Sequence, residues 1–380
     1  MLPAPRVDTP SLADVLTGAF SSIVGEPHVL ALPGVRSAAV ILVDGLGMSA
    51  LQRRAGHARR LLAAIPSAGG VIDSGFPTTT ASALATLTTG RPAGQHGLVG
   101  YSVFDRAADR VVNQLTGWDA GMRPSEWQPL ETVFETAVAC SIDAVVVAAE
   151  RFRHTGFTDA VLRGARFVSR ESIVDRIAAA VALLQGSERA LVYVYIPELD
   201  KVGHSQGCES DAWTHRLEEL DSALAEVEHG LPRDAGVLLT ADHGMLDVAP
   251  HRRIVIDAES ALWHDVRHVA GEPRCLHLQV EHREGRSDTA VAVRDRWREA
   301  EGSRSWVVTR DEAIDAGWFG PVSDGVRSRI GNVIVAARAQ VAYYDGRVAT
   351  ARSLAMVGQH GSFSPEEVRV PLARWGAYAI

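Results

Sequence analysis

Four short apolar, β-branched runs recur along the chain, "SAAVILVDGLG", "IDAVVVAAE", "RALVYVYIPELD" and "DAGVLLTADHG". A continuous apolar run of this length is a buried strand, not an amphipathic one, because alternation appears only where one face meets water. Between the last two such strands lies "WTHRLEELDSALAEVEHG", in which Trp213, Leu217, Leu220, Leu224 and Val227 recur at helical spacing. Strands that alternate with amphipathic helices predict an α/β fold with a mostly parallel sheet sandwiched by helices. In such sheets ligands sit beyond the carboxyl ends of the strands. Three of the runs end there on an aspartate, namely Asp44, Asp200 and Asp242.

The 380 residues allow one large α/β core with an inserted subdomain. Residues 1–250 read as the core. From 251 to 350 charges and arginines increase, and "GNVIVAARAQVAYYD" resembles antiparallel hairpin material, so this stretch reads as an inserted α+β cap. Residues 351–380, with "GQHGSFSPEEVRVPLARWG", return to glycine-flanked polar residues and are expected to complete the core.

A formal net charge of -8 argues against nucleic-acid polymers and anionic membranes, since both demand basic surface. The N-terminus carries prolines and aspartates where a signal peptide needs a basic and then an apolar segment, and no apolar run has the length of a membrane span. Cys140, Cys208 and Cys275 lack metal-pair spacing. The expectation is a cytoplasmic protein, monomeric or homodimeric, acting on a small molecule.

Several polar residues carry possible chemistry. "PELDKVGHSQG" sets Asp200 and His204 four apart, on one face if the chain turns helically there. "TADHGM" places Asp242 beside His243, and "GQHGS" holds His360 between glycines. Each fragment alone has an ordinary reading, as a surface pair, a strand-end turn or a loop histidine. Together with Asp44 they form a mixed oxygen and nitrogen set sufficient for two metal positions. "SGFPTTTASALATLTTG" adds Thr78, Thr79 and Thr80 ahead of a small-residue helix ending at Gly90. Pro77 favours an extended Phe76, and Thr80 is the expected N-cap, its hydroxyl aimed at the cluster. His96 reads as shaping its loop, His264 and His268 as an exposed amphipathic face, and Arg59 and Arg60 as solvated helix charges.

In order, "VDGLG", "FPTTTASALATLTTGRPAGQHGLVGY", "PELDKVGHSQG", "ADHGM" and "GQHGS" resemble the alkaline phosphatase superfamily, in its type I phosphodiesterase and nucleotide pyrophosphatase branch. The resemblance implies an alkaline-phosphatase-like sheet and Thr80 as nucleophile. It also implies two Zn2+ ions, which Mn2+ or Fe could replace: one among Asp44, Thr80, Asp242 and His243, the other among Asp200, His204 and His360. A phospho-enzyme intermediate and a phosphoester substrate such as a nucleotide follow from it. Where relatives carry an asparagine that holds a phosphate oxygen, this chain has Tyr101, whose phenol can donate a single hydrogen bond to substrate. Alternatives are phosphonoacetate-hydrolase-like or phosphomonoesterase activity on the same site, and a metal-dependent nucleotide-binding protein without turnover.

Overall fold

A computed structural model describes residues 2–6, 9–281 and 288–379. All four apolar runs are strands of one six-stranded sheet, in the order Ala373–Gly376, Ala235–Thr240, Ser37–Val43, Ala190–Ile196, Asp143–Ala148, Arg166–Ser169. Every neighbouring pair is parallel except the edge strand Ala373–Gly376, which runs antiparallel to Ala235–Thr240. Ser37–Val43 is buried along its whole length, as its unbroken apolar sequence requires. Helices Ala13–Val24 and Val133–Ala139 pack against the sheet as one group, and Ile173–Gly186 with Asp211–Gly230 as another. The helix Asp211–Gly230 buries Trp213, Leu217, Leu220, Leu224 and Val227, and Ser210 caps it by accepting from the Trp213 N–H at 3.2 Å.

A second sheet is antiparallel, in the order Val266–Glu272, Cys275–Val280, Val333–Ala337, Ser305–Thr309, and helix Thr289–Glu301 packs on it. The expected hairpin within 331–345 does not form. Val333–Ala337 lies inside this sheet, whereas Ala342–Asp345 pairs in parallel with Arg253–Ile256. The link between them wraps the buried Arg274 guanidinium, which donates to the carbonyls of Ala339 at 3.0 Å and Val341 at 2.8 Å. Those carbonyls are therefore spent on a side chain instead of a two-residue turn. His264 is exposed, as expected, and ends the short turn Ala261–Trp263, whereas His268 is a half-buried strand residue stacked on Phe104 with ring centroids 5.1 Å apart.

Among the described residues no helix is long and apolar enough to cross a membrane.

Candidate metal centre

The loops that leave the parallel strands converge, and glycines let them do so. Gly45, at φ +75°, follows Asp44, and a Cβ there would stand 3.0 Å from the Asp200 Cα. The Asp200 N–H in turn donates to the Asp44 carbonyl at 3.1 Å. Asp200 and His204 both lie on the helix Glu198–Gln206, one turn apart, with 3.3 Å between Asp200 Oδ1 and His204 Nε2. The second carboxylate loop begins just after Thr240, where Asp242 Oδ1 accepts from the N–H groups of Gly45 at 3.1 Å and His243 at 2.9 Å. His360 arrives from the far end of the sequence.

The three threonines divide their work. Thr78 fastens the His360 loop: its hydroxyl donates to the Ser362 carbonyl at 2.8 Å and accepts from the Gly361 N–H at 3.0 Å. Thr79, not Thr80, is the N-cap residue, and it caps through its extended backbone without a side-chain hydrogen bond. Thr80 is the first residue of the helix Thr80–Thr89, whose ten residues are all buried and which Gly90 closes in a left-handed conformation. The Phe76–Pro77 bond that leads into it is cis. One position further along than an N-cap, the Thr80 hydroxyl is free of its own helix end. It lies 3.2 Å from His243 Nε2 and 3.5 Å from Asp44 Oδ1.

The histidine tautomers are fixed by the backbone. Nδ1 of His204 meets the Gly358 carbonyl at 2.8 Å, Nδ1 of His243 that of Gly244 at 3.0 Å, and Nδ1 of His360 that of Thr78 at 2.7 Å. A carbonyl only accepts, so each Nδ1 carries a proton and each ring turns its Nε2 inward. The Nε2 atoms meet one another and the carboxylates: His204 Nε2 and His360 Nε2 are 3.2 Å apart, and His243 Nε2 is 3.4 Å from Asp242 Oδ2 and 3.6 Å from Asp44 Oδ1. Asp200 Oδ1 and Asp242 Oδ2 are buried without a hydrogen-bond partner. Acceptor facing acceptor in a dry site repels unless positive charge lies between.

Proton affinities report the same repulsion. Burial, then the Asp242 and Asp200 carboxylates, push Asp44 well above the usual carboxylate range, although the Tyr195 hydroxyl donates to its Oδ2. Burial raises Asp242 against the opposing effect of His243. Burial, His243 and His204 hold His360 well below an ordinary imidazole. Two groups, Asp44–Asp242–His243 and Asp200–His243–His360, each bring one donor atom per residue within 4.8 Å of one another. Divalent cations would relieve this crowding, and the mixed carboxylate and imidazole donors suit zinc, manganese or iron.

Tyr101 is 42% exposed, and its phenol has no hydrogen-bond partner among the described residues. Its backbone N–H faces inward and donates at 3.0 Å to Glu272, a carboxyl only 6% exposed that sequence reasoning overlooked. Tyr195 was overlooked too. Its only signal is a hydroxylated aromatic in a strand that is aliphatic apart from it and Tyr193. His96 shapes its loop, accepting from the Leu98 N–H through Nδ1 at 3.1 Å and meeting Thr86 Oγ1 through Nε2 at 3.0 Å. Arg59 and Arg60 are exposed, Arg60 pairing with Glu228.

A family model described as type I phosphodiesterase / nucleotide pyrophosphatase matches residues 38–363. Over 191 residues the chain is 24% identical to an uncharacterised pyrophosphatase/phosphodiesterase of Schizosaccharomyces pombe, covering 48% of this chain and 39% of that relative's length. Among solved structures, murine ectonucleotide pyrophosphatase / phosphodiesterase 5, inactive and in complex with AMP, superposes with a TM-score of 0.67 at 18% identity over 88% of this chain and 87% of its own. Phosphonoacetate hydrolase from Sinorhizobium meliloti, in complex with phosphonoacetate, gives a TM-score of 0.69 at 18% identity over 90% and 91%. At such identities the likeness is one of fold.

Proposed function

The chain belongs to the type I phosphodiesterase / nucleotide pyrophosphatase family, and from that premise we propose that it is a two-metal phosphoryl-transfer hydrolase with Thr80 as nucleophile. The observation that carries this reading is the set of three inward-turned Nε2 atoms meeting three carboxylates beside one buried threonine hydroxyl. Asp44, Asp242, His243 and Thr80 would hold one cation, and Asp200, His204 and His360 the other. When bound, the cations would lower the pKa of the threonine hydroxyl and of water, and offset the charge of the phosphoryl oxygens.

The chain's own residues supply position. The helix that Thr80 begins leaves its first N–H groups without helical partners, so they favour an anion near the Thr80 oxygen. Oγ1 attacks phosphorus in line as the bond to the leaving oxygen breaks, giving phosphothreonine. Water then cleaves that ester and restores the hydroxyl. Tyr101, exposed and with its backbone N–H on Glu272, would offer its phenol to a phosphate oxygen. The substrate class is a small phosphoester, with nucleotides a natural candidate in view of the AMP held by the murine structure.

Thr80→Ala is expected to abolish turnover while leaving zinc content nearly unchanged, measured by metal analysis beside hydrolysis of a phosphodiester, a phosphomonoester and a phosphonate. Retained turnover would falsify the nucleophile assignment. The phosphonate serves a second reading, phosphonoacetate-hydrolase-like activity, which the superposition on that fold and the departure at Tyr101 favour. A higher rate on the phosphonate than on either ester would select it.

A further inference from the structure

A cavity of about 450 Å³, lined by none of the metal-centre residues, lies between the second sheet and the strand Ser102–Asp105. Four side chains define its character. Phe104 stacks on His268 to form one wall, and Arg106 and Arg310 are set into the others. Arg310 is half-buried and donates through Nε to the Ile330 carbonyl at 2.8 Å. Neither Arg310 nor Arg106 has a carboxylate partner among the described residues. The Asp109 carboxylate on the rim is occupied by Arg267 and by His268 Nε2 at 3.3 Å, and Glu281, the other carboxylate of the lining, has interactions of its own. A half-buried guanidinium without a counter-ion loses water and gains nothing in return.

We propose that this cavity is a second anion-binding site, taking phosphate oxygens on Arg310 and Arg106 with the Phe104–His268 wall against the rest of the ligand. A guanidinium presents a planar fork that matches such oxygens, and the volume is that of a small-molecule site. Burial and the neighbouring Arg327 and Arg106 charges bring Arg310 down to about 10, against the opposing charge of Asp311, which itself pairs with Arg327. The strand Val266–Glu272 links the two places: His268 lines the cavity, and Glu272, four residues on, bonds the Tyr101 N–H. At about 3.3 Å per residue that separation is about 13 Å. The bound phosphate therefore belongs either to a free effector or to the far end of a long substrate.

Calorimetric titration of the metal-loaded Thr80→Ala chain with inorganic pyrophosphate tests the site with the proposed nucleophile removed, binding beyond one equivalent being that of the cavity and not of the metal centre. Binding of this second equivalent is expected to weaken at least tenfold when Arg310→Gln or the exposed Arg106→Gln is added. The second variant guards against a folding defect in the first. A rise in KM confined to substrates with a distal phosphate in Arg310→Gln assigns the site to substrate, whereas unchanged KM with lost pyrophosphate binding assigns it to an effector. A single equivalent bound by the Thr80→Ala chain, or a second equivalent bound equally with either arginine changed, overturns the proposal.

Discussion

Glu272 is the residue whose environment departs furthest from its sequence surroundings. Burial pushes its carboxyl up to about 8, opposed by the Tyr101 N–H and reinforced by the Glu367 charge. Oε2 accepts from Tyr101, so at neutral pH the proton belongs on Oε1, which has no other hydrogen-bond partner. The folded chain then holds a proton that the unfolded chain sheds near pH 4.5. The stability this group contributes is complete below about pH 4.5 and is lost as pH rises through about 8. Glu272→Gln keeps the shape and cannot ionise. Its denaturation midpoint should equal that of the wild type near pH 5 and exceed it at pH 9, by roughly 4 kcal/mol at about 1.4 kcal/mol per pKa unit. Parallel urea titrations at the two pH values check this, and identical pH dependence of the two proteins would remove Glu272 from the account. The residues that the structure gathers at the centre were legible because each stands at a strand end or between glycines. Glu272 was not, since nothing in "GEPR" says that the segment is buried beside Thr79.

At the level of elements, the parallel strands and the helix Asp211–Gly230 could be read because their periodicity is local, while partner choice is not. Val333–Ala337 and Ala342–Asp345 were recognisable as strands, but their pairing is decided by an arginine more than fifty residues earlier in the chain. The threonine helix was legible to its last residue, yet its start moved by one: Thr79 has the extended backbone of a cap, which releases Thr80 toward His243. The turn after His243 makes a sharper demand. A Cβ on Gly244 would stand 1.9 Å from the Glu366 carbonyl and 2.6 Å from the Gly47 Cα, both backbone atoms that cannot swing aside. Gly244→Ala should cost about 3 kcal/mol or more, as overpacking against rigid neighbours does, and should displace His243. Lower thermal stability together with reduced zinc retention after dialysis is the expected pair of results. Wild-type values for both would mean that the two loops can part without consequence.

Across the whole molecule the centre depends on regions that the sequence keeps far apart, and one buried ion pair joins them. Arg274, in the turn between the first two strands of the second sheet, donates through Nε and Nη2 to the two oxygens of Glu367, each at 2.8 Å, and neither side chain reaches solvent. The same carboxylate accepts from the Ser362 N–H at 2.9 Å and the Ser364 N–H at 3.2 Å, and the Glu367 carbonyl accepts from Gly244 at 2.8 Å. The loops of His360 and His243 therefore lean on one bidentate pair that also grips the link through Ala339 and Val341. Removing one partner strands a charge in a dry interior, which costs about 3–5 kcal/mol, whereas removing both costs less because no charge is left behind. Arg274→Met should lower stability by that amount and loosen zinc binding. The double variant Arg274→Met with Glu367→Leu should recover part of the stability but not the zinc affinity, because Ser362 and Ser364 would still lack their acceptor. Denaturant midpoints and zinc retention measured on the wild type, both single variants and the double variant separate the two effects. If the double variant lost stability equal to the sum of its single changes, the pair would be two independent anchors instead of one joint.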